Sequence, residues 1–204
     1  MKTAWTITMM AAMAMTANAK VGAPVTNRTI TIYMIDHRND SGYPLNLAEK
    51  YASRIFGSAK LDVEWRSGKP AETPSPNGMT FVVEVTDHTS VGYHQGALAF
   101  ALPYEGVHIM LLFDRIQRLD KQAPDALLAH VLTHEITHML EGISRHSQTG
   151  VMKANYTSSD IWKMRSHPLT FADEDLMLID LGLARRHQMQ LAATAETAAD
   201  EETR

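Results

Sequence analysis

The chain has 204 residues, of which 45% are hydrophobic and 21% charged, and its formal net charge is −4 at pH 7. That length builds one domain with a substantial core rather than two, and the slightly acidic balance offers nothing to nucleic acid or to an anionic membrane surface. There is no cysteine, which excludes thiol nucleophiles, thiolate metal sites and disulfide staples and leaves stability to the core and to any bound metal.

The first residues read as a secretory signal peptide. Lys2 supplies a positive start, Ala4 to Met15 an apolar run too short to span a bilayer comfortably, and Ala17-Asn18-Ala19 the small residues of a cleavage site. Residues 1–19 are therefore expected to be removed, placing the mature protein in a periplasm or outside the cell, with no stable membrane insertion. The eight or so residues from Lys20 to Asn27 are too few for an inhibitory propeptide.

Arg28 to Asp36 is dense in β-branched and aromatic residues and predicts a first, central strand. Asn39-Asp40-Ser41-Gly42 predicts a turn. Pro44 to Phe56 places Leu45, Ala48, Tyr51, Ala52 and Ile55 on one helical face, with Gly57 at the position that ends it. Leu61 to Arg66 reads as a strand, Ser67 to Gly78 as a loop rich in Pro, Gly and Ser, and Met79 to Asp87 as another strand. A polar loop, Ser90 to Gly96, leads to a short strand, Ala97 to Leu102, then a turn at Pro103 to Gly106. Val107 to Phe113 is a continuous apolar run, expected to be buried on both faces. Asp114 to Ala123 reads as a charged connection.

Pro124 suits the first position of a helix, with Asp125 in its first turn. The helix runs to about Glu141 and is apolar nearly all round, so it is expected to be buried. It nevertheless carries His130, His134, Glu135 and His138, and buried polar groups need partners. Gly142 ends it. A segment of little periodicity follows to about Pro168. A last helix is expected from Thr170 as cap, with Asp173 closing a short capping box and Leu176, Met177, Ile179 and Leu183 on its apolar face. Residues 185–204 turn to Ala, Thr, Glu and Gln and read as a polar, disordered tail. The domain proper is 20–184, an α+β fold with helices on a mixed sheet.

The chemistry concentrates at His134-Glu135-Ile136-Thr137-His138. On a helix, positions i and i+4 lie on one face, so His134 and His138 can grip a single metal ion, and Glu135 can reach a metal-activated water as general base. A catalytic zinc site needs a third protein ligand and an open fourth position. His146 is one candidate: it is the only His in the twenty residues after His138, and Gly142 lets the chain double back. A carboxylate of the last helix, Glu174 above all, is the other, although acids at a helix start also answer to the helix dipole. His130 reads as a satisfied core residue, and Tyr156 is a candidate donor to a transition-state oxyanion.

From His134 to Met152 the chain resembles the metzincin clan of zinc metallopeptidases, whose pattern is H-E-x-x-H-x-x-G-x-x-H followed by a Met-turn. The run His134 to His146 matches it with two departures: Gly142 comes one residue late and His146 two. Gly150-Val151-Met152 looks like the Met-turn, and His146-Ser147 looks like the H-S pair of matrixin-type members. The resemblance implies a zincin fold with a twisted mixed sheet, an active-site helix and a C-terminal helix, zinc held by His134, His138 and His146, Glu135 as base, and a peptide or protein substrate aligned along the short strand at Ala97. A non-catalytic, zinc-stabilised binding domain and a gluzincin-type hydrolase with Glu174 as third ligand stand as alternatives.

Overall fold

The computed structural model describes residues 28–38, 45–76, 78–87, 96–101 and 106–202. The signal peptide, the Asn39 to Gly42 turn, most of the Ser90 to Gly96 loop and most of the Pro103 to Gly106 turn lie outside them.

Five strands, β1 (Thr29–Asp36), β2 (Asp62–Ser67), β3 (Thr80–Thr86), β4 (Ala99–Ala101) and β5 (His108–Leu112), form one sheet in the order β2-β1-β3-β5-β4. Four run parallel, while β4 pairs antiparallel with β5 through Ala99↔Leu111, Phe100↔Met110 and Ala101↔Ile109. Because side chains alternate along a strand, Ile30, Ile32, Met34, Phe81, Val83, Val85, Ile109 and Leu111 all point to one face and enter one core. On the other face Thr31, Tyr33, Glu84 and Met110 are only half-buried. So β5 alternates from His108 to Leu111 and then buries Leu112 on the second face, and its apolar run is buried on both sides only at its end.

Helices α1 (Asn46–Ser58), α2 (Phe113–Leu119), α3 (Pro124–Glu141), α4 (Ser158–Met164) and α5 (Asp173–Glu202) complete the chain. The expected stripe of α1 is buried at Ala48, Ala52 and Ile55. Its end differs from expectation: Gly57 stays helical and Lys60 takes the left-handed conformation at φ 56°. The cause is Leu61. Its N–H reaches the Phe56 carbonyl at 3.1 Å while that of Lys60 reaches Gly57 at 3.0 Å, the paired closure of a Schellman motif, and Leu61 and Phe56 are both buried beside it. Burial of the residue after the turn outweighs the choice of a glycine.

α3 begins with Pro124 at its first turn and buries nearly every side chain as it packs on α1, α5, β4 and β5. Two short helices were not expected. α2 takes Phe113 from the end of the expected strand and Ile116 from the stretch read as a connection, and both are buried. α4 opens with a full capping box between Thr157 and Asp160, satisfying two otherwise orphaned N–H groups. α5 starts at Asp173, three residues past Thr170, because the Thr170 carbonyl is taken by the Val151 N–H at 3.0 Å and Asp175 accepts from Ala172 N at 2.9 Å. It then continues to Glu202, across the supposed tail. Alanine-rich sequence is strongly helix-forming; its polarity sets exposure, and side chains 188–197 are exposed. Among the described residues no helix is long and apolar enough to cross a membrane.

Candidate metal centre

The i,i+4 spacing on α3 brings the rings of His134 and His138 to 4.6 Å between centroids. The helix then stops at Gly142, whose φ of 67° is left-handed and whose N–H closes on the His138 carbonyl at 2.9 Å. The chain reverses, and His146 comes to ring distances of 5.2 Å from His134 and 5.0 Å from His138. One nitrogen from each of the three lies within 4.8 Å of the others.

The tautomers follow from the surroundings. His134 Nδ1 faces the Val151 carbonyl at 3.0 Å and His138 Nδ1 the Ile143 carbonyl at 3.3 Å. Each must donate there, so each Nε2 keeps its lone pair. Those two Nε2 atoms are 3.0 Å apart. Two lone pairs facing one another repel unless a cation lies between them, and tetrahedral zinc with bonds of about 2.0–2.1 Å spaces its nitrogens about 3.3–3.4 Å apart. The donor set therefore fits a metal ion. Burial, then the fields of the other two histidines, pushes the His138 pKa down to about 4, and burial also lowers that of His134. Both rings are neutral at pH 7, as ligation requires.

The loop bearing His146 is fastened on both sides. Asp175, buried in the first turn of α5, accepts from Arg145 Nη2 at 2.8 Å and from Ser147 Oγ, the two residues that flank His146. Ser147 N reaches the Met152 carbonyl at 2.8 Å. Gly150 has φ 77°, and a Cβ there would lie 2.2 Å from the Thr170 carbonyl, so the loop can pass the segment before α5 only with glycine. Val151 and Met152 are fully buried. The Val151 carbonyl also accepts from Tyr156 Oη at 2.6 Å, so His134 and Tyr156 share one acceptor.

Glu135, half-buried, lines a cavity of about 350 Å³ with His134, His146 and Tyr156; burial pushes its carboxyl up to about 7. Burial likewise raises the pKa of Tyr156, so its hydroxyl stays a proton donor. Glu174 stands apart from the histidines, 3.4 Å from Arg145. His130 is satisfied, with Nδ1 on the Ala126 carbonyl at 2.6 Å and Nε2 accepting from Leu169 N at 2.9 Å; burial holds its pKa at about 4. The residues that sequence reasoning missed are Asp175 and Arg145. The third acid at the start of α5 and the basic neighbour of His146 were visible, but nothing local paired them across thirty positions.

A buried helix thus presents two histidines to a third from the following loop, beside the β4 edge of a mixed five-stranded sheet. Archaemetzincin from Methanopyrus kandleri has a similar fold: it is 14% identical, with a TM-score of 0.52 covering 78% of this chain and 98% of its own. A zinc-dependent peptidase from Methanocorpusculum labreanum, also 14% identical, aligns over 72% of this chain and 99% of its own with a TM-score of 0.48. No family model matches the chain, and no curated protein does.

Proposed function

We propose that this protein is an exported zinc-dependent peptidase of divergent metzincin type, with His134, His138 and His146 as ligands and Glu135 as general base. The observation that carries the reading is the pair of Nε2 lone pairs 3.0 Å apart, with both Nδ1 atoms engaged on carbonyls and His146 alongside. Three imidazoles suit zinc better than the harder cations. Zinc held by three ligands supplies a Lewis acid and an acidified water. Glu135 lines the cavity where substrate would sit, placed to take a proton from the attacking water and return it to the departing amine. Tyr156 keeps its proton and orients His134 through their shared carbonyl. The outer edge of β4 supports an extended substrate laid beside it. Leu127, Val131 and Ile161 in the cavity wall favour an apolar side chain next to the scissile bond. The Lys2 to Ala19 pattern supports export.

The test is metal analysis together with peptide cleavage. Glu135→Gln should retain zinc and lose hydrolysis, whereas His146→Ala should lose both. Full activity in Glu135→Gln, or undiminished zinc in His146→Ala, would overturn the assignment. Retained zinc in a wild type that cleaves nothing would favour the zinc-stabilised binding domain.

A further inference from the structure

Two recesses flank the three histidines, and they differ in charge. The cavity beside His134, Glu135 and His146 contains Lys153, and that ammonium is ion-paired with Asp160. On the other side of α3's last turn lies a wider recess of about 540 Å³, bounded by His138, Met139, Ile143, Arg185 and Met189. None of the described residues that line it is acidic.

Arg186 also borders this recess but is committed to the fold. It is buried, donates to the carbonyls of Pro76, Gly78 and Met139, and lies 5.4 Å over the Phe81 ring. Arg185 is exposed and has no carboxylate partner among the described residues. Its guanidinium fills the space that a side chain at position 142 would take, with Nη2 1.9 Å from where a Cβ would stand. Its contact with the Glu141 carbonyl is long, at 3.4 Å, and engages only one of five donors. Glycine at 142 thus cradles a cation against the loop that joins His138 to His146.

The two recesses border successive parts of one sheet edge. Gly96 to Ala99 line the first, Ala101 and Gly106 the second. A peptide extended along β4 would cross from one to the other over the histidines. We propose that the recess beside His138 is a substrate subsite for an acidic side chain, read by Arg185. The proposal rests on the peptidase reading above. An arginine fork matches a carboxylate bidentately, and a guanidinium already docked on Gly142 loses little freedom on binding. Met139, Ile143 and Met189 offer apolar surface to the methylenes of a glutamate. The first recess, with its lysine neutralised, provides no such selection, so the preference belongs to one side of the scissile bond only.

The test is cleavage-site profiling of the zinc-loaded protein on a mixed peptide library by mass spectrometry. Asp or Glu should be enriched at one position on one side of the cut, by about tenfold over Ala in kcat/KM, and the enrichment should shrink at high salt. Arg185→Glu should reverse the preference to Lys and Arg. Arg185→Lys, which keeps the charge and loses the fork, should weaken it without reversing it and provides the measurement if the glutamate variant does not fold. Cleavage without acidic enrichment, or enrichment unchanged in either variant, would overturn the inference alone. Zinc-loaded wild type that cleaves no peptide would overturn the peptidase reading and the inference with it.

Discussion

Asp175 lies far from the H-E-x-x-H run in sequence, yet it should govern how tightly the third histidine is held. Its carboxylate is fully buried and accepts from both neighbours of His146, Arg145 at 2.8 Å and Ser147, while its second oxygen caps α5. Asp175→Asn keeps the shape, removes the charge and turns one acceptor into a donor facing donors. Each charge-assisted bond of this kind contributes about 1.5–3 kcal/mol. If about 1.4–2.7 kcal/mol of that anchoring is lost to zinc binding, affinity falls about 10–100-fold, the range seen when supports of metal ligands are removed. Competition of the apoprotein with a chromophoric chelator measures the change. Cobalt substitution adds a second readout, because a loosened His146 should alter the visible d–d bands, which overall destabilisation would leave alone. Ser147→Ala, removing one neutral donor, should cost less. Zinc affinity and cobalt spectrum both unchanged in Asp175→Asn, with only the melting temperature lowered, would refute the reasoning and reduce the clamp to a folding contact.

Glu141 is 5% exposed with neither carboxylate oxygen hydrogen-bonded, and burial raises its pKa from 4.5 to about 7. Because the folded-state pKa is the higher one, its favourable contribution is complete below about 4.5 and is lost as pH rises through about 7. Glu141→Gln should therefore exceed wild type by about 2–3 kcal/mol at pH 8 and by little at pH 4; parallel melting curves across that range, with no widening gap, would contradict this. Gly142→Ala should destabilise by about 1–3 kcal/mol, since it places a Cβ at positive φ and displaces Arg185; chemical denaturation measures it, and a neutral result would contradict the cradle. Zinc removal by a chelator should lower the melting temperature, by an amount equivalent to about 4 kcal/mol when free zinc had been a thousandfold above its dissociation constant; an unchanged melt would contradict a metal held by the folded state.

What could be read from the sequence depended on how locally each feature is determined. α3 was legible from end to end because its signals are its own: Pro124 at the start, an apolar surface all round, Gly142 at the stop. His134 and His138 needed only the helical period, and His146 only proximity and a reversible chain. The end of α1 was misread because it is fixed by burial of Leu61, a tertiary event that no residue type announces. α2 is too short for a period to show, and its buried Phe113 looked like the end of a strand. α4 did carry a signal, Thr157 three residues before Asp160, within a stretch otherwise without pattern. The length of α5 went unseen because polar, alanine-rich sequence reads as solvated, and solvation does not specify conformation. The Asp175 clamp joins positions thirty residues apart, and only the fold brings them together.

Relative to the H-E-x-x-H-x-x-G-x-x-H pattern that the run resembles, the helix carries one residue more before Gly142 and the loop one more before His146. α3 is one residue longer before its glycine, because Glu141 is still helical and Gly142 is the first left-handed residue. An added helical residue advances the exit by about 1.5 Å and turns it by about 100°, so a loop of the usual length would leave on the wrong side and fall short. The additional loop residue restores the reach, and His146 arrives beside His134 and His138 with a nitrogen in the shared cluster. A longer connection is also looser, and two features answer that: Arg145 and Ser147 bind Asp175, and Gly150 passes beneath Thr170. The lengthened link and the α5 clamp are therefore coupled, so shortening the loop by one residue without also shortening α3 should weaken metal binding, in the same chelator competition, more than either Asp175→Asn or Ser147→Ala.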